Sequence, residues 1–302
     1  MKKLKSIFIF LFLSGVLFAQ REVALLETSI PANLYVYSAT TPMEVDFEII
    51  NGLIVIAGAM EGEVGSFILD TGAPGLIVNE KTEADPSLEA NGIGGDVAVG
   101  QRFVESLQWA GLELEHIHGY AIDMSHLASS IDRNLLGLVG FELLDGYEIL
   151  LDYSNRKLLF FPLGSGPDKF HTPKAVIPFQ MQQHLPVVKV KIGNKKYRFG
   201  IDCGASVNLI HDRYQEKLAP LVENACCTGF LRGLDGTGEM TSIVTFKDVS
   251  IGGEAYNQGE FQWTSFRGIS GQDLQIDGLL GAGFFVANKV SINYKDQKIY
   301  LW

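Results

Sequence analysis

The chain has 302 residues, of which 47% are hydrophobic and 20% charged, enough apolar material for one large core or two smaller ones and too much to stay disordered. Its formal net charge of −11 excludes a nucleic-acid surface, which needs clustered Lys and Arg. The 33 glycines against 10 prolines, scattered through short β-branched and aromatic runs, predict an all-β protein of many strands joined by tight turns.

Residues 1–19 open with Lys2, Lys3 and Lys5, pass through an apolar run from Ile7 to Leu13 and reach small residues before Ala19 and Gln20. That is the form of a secretory signal peptide, its apolar stretch shorter than the ~20 residues of a spanning helix. The segment is therefore set apart from the fold. It predicts export to a periplasm or the exterior, with no membrane anchor after cleavage.

Next comes a strand at Leu53 to Ala57, a turn at Glu61-Gly62 and a strand at Ser66 to Leu69 that ends at Asp70. Asp70-Thr71-Gly72-Ala73 then turns into the apolar run Leu76 to Val78. Further on lies the glycine-rich run Asn91-Gly92-Ile93-Gly94-Gly95. His116, His118 and His126 are spaced so that a metal is conceivable, but surface histidines explain them as well, and no metal site is assigned. Asp96 and Asp152 fall in hairpin or turn contexts that predict solvated carboxylates. The first half ends with residues 137–153, GLVGFELLDGYEILLDY.

The stretch PLGSGPDKFHTP at 162–173 is rich in Gly, Pro and polar residues and reads as a linker. It divides the chain into a lobe at 20–163, a connection at 164–173 and a lobe at 174–302. In the second lobe a strand at Val187 to Ile192, a turn at Gly193-Asn194 and a strand at Tyr197 to Ile201 lead to Asp202-Cys203-Gly204-Ala205 and the apolar pair Leu209-Ile210. Residues 229–240, GFLRGLDGTGEM, and 278–294, GLLGAGFFVANKVSINY, follow.

The two halves repeat. Phe47 lies 23 residues before Asp70 and Phe179 lies 23 before Asp202, with Leu53, Phe67 and Leu69 matching Leu185, Phe199 and Ile201. Gly140 to Tyr153 and Gly281 to Tyr294 are both separated by 13 positions. A single Asp-x-Gly is a common turn. Two of them at equivalent ends of buried strands are another matter, because an aspartate delivered by an apolar strand is costly unless its charge is used or neutralised. Brought together by pseudo-twofold packing, the two acids share one proton. One carboxylate is then a base toward water while its protonated partner polarises an amide carbonyl.

Asp70-Thr71-Gly72-Ala73 and Asp202-Cys203-Gly204-Ala205, followed by Leu138-Val139-Gly140 and Leu279-Leu280-Gly281, resemble the two halves of a pepsin- or retropepsin-type aspartic peptidase in tandem, two-lobed form. The resemblance implies two pseudo-symmetric acid-protease lobes built as closed or partly open β-barrels. It implies Asp70 and Asp202 as catalytic, the residues Thr71, Gly72, Ala73, Cys203, Gly204 and Ala205 as the active-site turns, and Gly92, Ile93, Gly94 and Gly95 as a flap over substrate, with 229–240 in the comparable place of the second lobe. A peptide or protein substrate, no cofactor and a monomeric chain follow from it.

Two departures stand out. The family carries Thr or Ser after each aspartate, its hydroxyl linking the two turns; Cys203 replaces that hydroxyl with a weaker thiol, which predicts a looser or asymmetric lock. Ala73 and Ala205 stand where pepsin-like enzymes carry a hydroxyl near the carboxylate, which predicts a dyad that titrates higher and a weakly acidic to neutral optimum. The alternative function is a catalytically impaired peptide- or glycan-binding protein of the same fold, with Cys203 as its sign. Cys203, Cys226 and Cys227 are too few and too clustered for a disulfide framework. Free thiols are expected, although Cys203 could pair with either of the others if the fold allows.

Overall fold

The computed structural model describes residues 41–83, 98–233, 238–256, 259–266 and 275–302, together with short strands at 6–10, 25–26 and 89–91. The runs Gly92 to Gly95 and Asp96 lie outside the described residues, as does most of 1–19; Ser6–Phe10 within that leader pairs with Leu25–Leu26 and Glu89–Asn91.

The architecture is all-β, two pseudo-symmetric lobes around a shared sheet. In the first lobe a seven-stranded sheet has Glu63–Leu69, Leu135–Val139 and Leu76–Asn79 side by side. Leu135–Val139 runs parallel to the first of these neighbours and antiparallel to the second. The second lobe repeats the arrangement: Gly278–Leu280 sits between Lys195–Ile201, parallel, and Asn208–His211, antiparallel. Each aspartate turn is thus the bend between two strands that a third, arriving from far along the chain, wedges apart.

These segments are strands because their buried faces are lined by β-branched and aromatic residues. Leu185–Ile192 alternates buried and exposed at its far end and becomes wholly buried near the lobe interface. Leu112–Ile122 alternates too, apart from two successive exposed residues at Glu115 and His116, where His116 adopts a left-handed conformation while the register with Gly100–Trp109 is kept on both sides. His116 and His118 are both exposed, flank buried Ile117 and pack around Phe103, and His116 pairs with Glu105 at 3.2 Å.

A six-stranded sheet joins the lobes. Its two central strands, Tyr147–Asp152 from the first copy and Val290–Asn293 from the second, pair antiparallel with Leu150 opposite Ser291. The pseudo-twofold axis passes between them, and both strands are wholly buried. Glu148 lies inside this sheet and accepts hydrogen bonds from Ser291 Oγ at 2.8 Å and Asn293 Nδ2 at 3.1 Å, so this buried acid is held by partners from the other copy. Asp152 is not solvated as its turn context predicts. It is 4% exposed, taking an ion pair from Lys289 at 2.8 Å and a bond from Asn155 Nδ2 at 2.9 Å.

The largest apolar cluster is continuous across the seam, and equivalent aromatic pairs mark the two copies: Phe47 packs on Tyr153 and Phe179 on Tyr294. Burial on this scale at the junction makes the lobes one cooperative body.

Candidate active site

The two aspartates emerge from buried strands into identical turns. Asp70 N–H donates to Val139 O at 2.9 Å and Asp202 N–H to Leu280 O at 3.0 Å, which ties each acid to the wedge strand beside it. Gly72 N–H then donates to Asp70 Oδ1 and Gly204 N–H to Asp202 Oδ1, both at 2.8 Å. Behind each turn a glycine is required: a Cβ on Gly140 would collide with Ala73 O, and one on Gly281 with the carbonyls of Ala205 and Val207. The carbonyls of Ala73 and Ala205 accept from Phe141 N–H at 2.9 Å and Ala282 N–H at 2.7 Å, so the second motif of each copy buttresses the first.

The turns meet across the lobe interface. The Asp70 carboxyl lies directly against Gly204, where a Cβ would overlap it, and it hydrogen-bonds the side chain of Asp202. Both aspartates are 0% exposed. Oδ2 of each meets no protein N–H or O–H beyond what its partner carboxyl supplies, so the contact demands a proton on one of the two. Desolvation pushes both acids well above the usual carboxylate range, and repulsion from Asp202 raises Asp70 further, while the turn N–H groups oppose the rise. The pair titrates as a unit and holds a proton that an ordinary aspartate would have lost.

Thr71 and Cys203 lock the turns together. Thr71 Oγ donates to Ile201 O at 3.4 Å and accepts from Cys203 N–H at 2.9 Å. In return Cys203 Sγ donates to Leu69 O at 3.4 Å and accepts from Thr71 N–H. Sulfur's greater radius and longer bond to Cβ let the thiol span the gap that a hydroxyl spans in the other copy, and the lock is asymmetric in its chemistry, a weak thiol donor on one side and a hydroxyl on the other. Burial pushes the Cys203 thiol up, which disfavours the thiolate a nucleophile would need. Neither Cys203 nor Cys226 forms a disulfide among the described residues. Ala73 and Ala205 are fully buried in apolar clusters and supply no hydroxyl to the carboxylates.

One residue of the site carries no motif in the sequence. His184, 7% exposed, turns the first hairpin of the second copy and places Nε2 2.8 Å from Gly72 O, inside the opposite lobe's aspartate turn. A carbonyl only accepts, so Nε2 carries the hydrogen. Burial lowers the imidazole to about 4 and keeps it neutral, with the bond to Gly72 opposing the drop. The residue it anchors is the one whose own N–H donates to Asp70 Oδ1 at 2.8 Å, so His184 holds Gly72 in place against the dyad. The signal that points to it is the repeat itself: His184 aligns with Gly52, and Gly52 sits on the other aspartate turn, where a Cβ would lie 2.9 Å from Ser206 Cβ.

Beneath the lock, the hydroxyls of the equivalent Tyr153 and Tyr294 are buried without hydrogen-bond partners, and their ionisation is pushed far up by burial and by the neighbouring Cys203. The floor of the site is thus apolar and neutral. Of the second-lobe segment 229–240, residues 229–232 and 238–240 lie in the paired strands Val222–Arg232 and Gly238–Phe246, and 234–237 lie outside the described residues. Among the described residues no cluster of three or more His, Cys, Asp or Glu is arranged to hold a metal ion.

Comparison with known proteins places this geometry. Residues 188–284 match the family described as Aspartyl protease, a span that runs from the strand before Asp202 through Leu279-Leu280-Gly281. No curated protein sequence matches the chain. Among solved structures it is similar to basic 7S globulin from soybean, at 11% identity and a TM-score of 0.46 over 86% of this chain and 94% of that one. The family match thus falls on the second copy, and the first copy repeats its turn, wedge strand and buttressing glycine.

Proposed function

We propose that the protein is an exported aspartic endopeptidase that hydrolyses peptide bonds with a water activated between Asp70 and Asp202. The observation that carries this is the buried contact between the two carboxyls, each fixed by a glycine N–H, with two oxygens that only a shared proton or a water can satisfy. The ionised member takes a proton from the water as it attacks the scissile carbonyl. The protonated member donates to the developing oxyanion, and the proton then passes to the leaving amine. No covalent intermediate and no cofactor enters. Gly72 and Gly204 N–H hold the carboxyls in plane, and the Thr71–Cys203 lock prevents the lobes from separating them.

The rival reading, a binding protein that has lost turnover, drew on Cys203 as a defect. The thiol's bond to Leu69 O, which keeps the two turns linked, speaks against that reading. Incubating the mature protein with a randomised peptide library tests the proposal. Cleavage that is blocked by a statine-type transition-state analogue and lost in both Asp70→Asn and Asp202→Asn supports it. Cleavage that persists in either variant sinks it.

A further inference from the structure

A cavity of about 640 Å³ opens beside the Asp202 turn. It starts at Ser206, four residues past the aspartate, and is bounded by Gly52 of the opposite lobe's first hairpin, by Asn208, Tyr256 and Glu260, and by Gly283 beyond the buttressing glycine. Its volume lies in the range of small-ligand pockets, roughly 300–1,000 Å³. The repeat shows why it is open. At the equivalent positions of the other lobe stand His184 in place of Gly52 and Glu142 in place of Gly283, and both fill space: His184 bonds the turn and Glu142 packs against Gly75. Two side chains have been replaced by glycine on one side of the pseudo-twofold axis.

The polar groups of the cavity are built rather than incidental. Ser206 is 7% exposed and its Oγ has no hydrogen-bond partner among the described residues. Asn208 is fully engaged: its Oδ1 accepts from Gly281 N–H at 3.0 Å, and its Nδ2 donates to Glu260 O at 2.8 Å and to Tyr256 Oη at 3.1 Å. That fixes the tyrosine hydroxyl and leaves its oxygen a second lone pair. Glu260 is the one charged residue lining the cavity. The described lining thus offers a hydroxyl, a phenol oxygen and one acidic residue, whose charge acts on the Tyr256 hydroxyl, and no cation.

We propose that this cavity is a specificity pocket for a cationic side chain, lysine or arginine, of the bound peptide, a few residues from the scissile bond. That the ligand is a peptide rests on the hydrolytic reading above; that it is cationic rests on the lining. An ammonium or guanidinium would find acceptors in Ser206 Oγ and Tyr256 Oη and its counter-charge in Glu260. An acidic side chain would face Glu260 with no compensating donor charge.

The test has two arms. In the first, wild-type protein is profiled on the randomised library, and enrichment of Lys and Arg at a single position relative to the cut is expected, with the lysine-over-norleucine ratio of kcat/KM falling about tenfold in Glu260→Gln. In the second, fluorescent peptides carrying lysine or norleucine at matched positions are titrated against Asp70→Asn, where no cleavage interferes. The lysine peptide should bind about tenfold more tightly, and the preference should vanish in Asp70→Asn/Glu260→Gln. Cleavage without basic preference overturns the pocket and leaves the hydrolytic reading standing. Lysine-selective binding by a wild type that cleaves nothing upholds the pocket and removes the peptidase. A preference that survives Glu260→Gln in either arm overturns the assignment.

Discussion

The Asp70 and Asp202 turns share their backbone bonds and differ in everything that flanks them. Each takes a wedge-strand carbonyl, a glycine N–H on the carboxyl and a glycine behind the turn. Around that shared frame Thr71 faces Cys203, Pro74 stands opposite Ser206, and the first turn is plugged by His184 while the second meets bare Gly52. Symmetry is kept where two carboxyls must share a proton and abandoned where a polypeptide, itself asymmetric, would lie. A single chain with two copies can vary one flank without touching the other.

The comparison is broken most severely by removing either acid. Asp70→Asn and Asp202→Asn are each expected to cost on the order of a thousandfold or more in kcat, by equal amounts if the dyad acts as a unit. The same variants should gain stability as pH rises. An acid whose folded pKa is raised stabilises the fold below its unfolded value near 4 and loses that contribution on the way up through the folded value, so the amide, which never ionises, should melt higher than wild type at pH 8 and converge with it at pH 4. Thermal melts at both pH values check the sign.

His184 separates the two flanks next. Its imidazole is depressed from 6.5 to about 4, so stability is present above the unfolded value and is lost as pH falls through the window between them, by about 3 kcal/mol in total. His184→Gln should flatten that part of the stability profile and lower kcat about tenfold with little change in KM, since it loosens Gly72, whose N–H donates to Asp70, rather than a substrate contact. An unchanged pH profile would reduce His184 to filler.

The lock sharpens the comparison at smaller scale. Thr71→Ala removes one donor and strands the buried Cys203 N–H, costing about 2–3 kcal/mol, whereas Cys203→Ala loses one weak thiol bond and a small volume, about 1–2 kcal/mol. Denaturant melts of the two variants should keep that order. Smallest of all, native Cys203 should resist alkylation by iodoacetamide at pH 8 while exposed Cys226 reacts, because the buried thiol neither ionises nor meets solvent.

Much of this was legible in the residues. The duplication of Asp-x-Gly-Ala and of the apolar-apolar-Gly element announces two equivalent turns and the strands that wedge them, because strand period and turn chemistry are local. The flanks were not legible. His184 reads as a polar residue in a hairpin turn until pseudo-twofold packing carries that hairpin onto the opposite lobe's Gly72. Asp152 reads as a solvated turn acid until the shared sheet brings Lys289 to it from the second copy. The Cys203 substitution looks like a defect on hydrogen-bond strength alone, and only the span to Leu69 O shows that sulfur fits. Each of these depends on the partner a distant segment supplies.

Proton sharing itself is best measured by NMR on protein carrying isotope-labelled aspartate carboxyl carbons, titrated from pH 3 to pH 9, with Asp70→Asn and Asp202→Asn to assign the signals. The account predicts two widely separated steps belonging jointly to Asp70 and Asp202, the upper one well above the range of ordinary aspartates, and collapse to a single step in either variant. Two independent titrations near 4 that are each indifferent to loss of the other residue would contradict it.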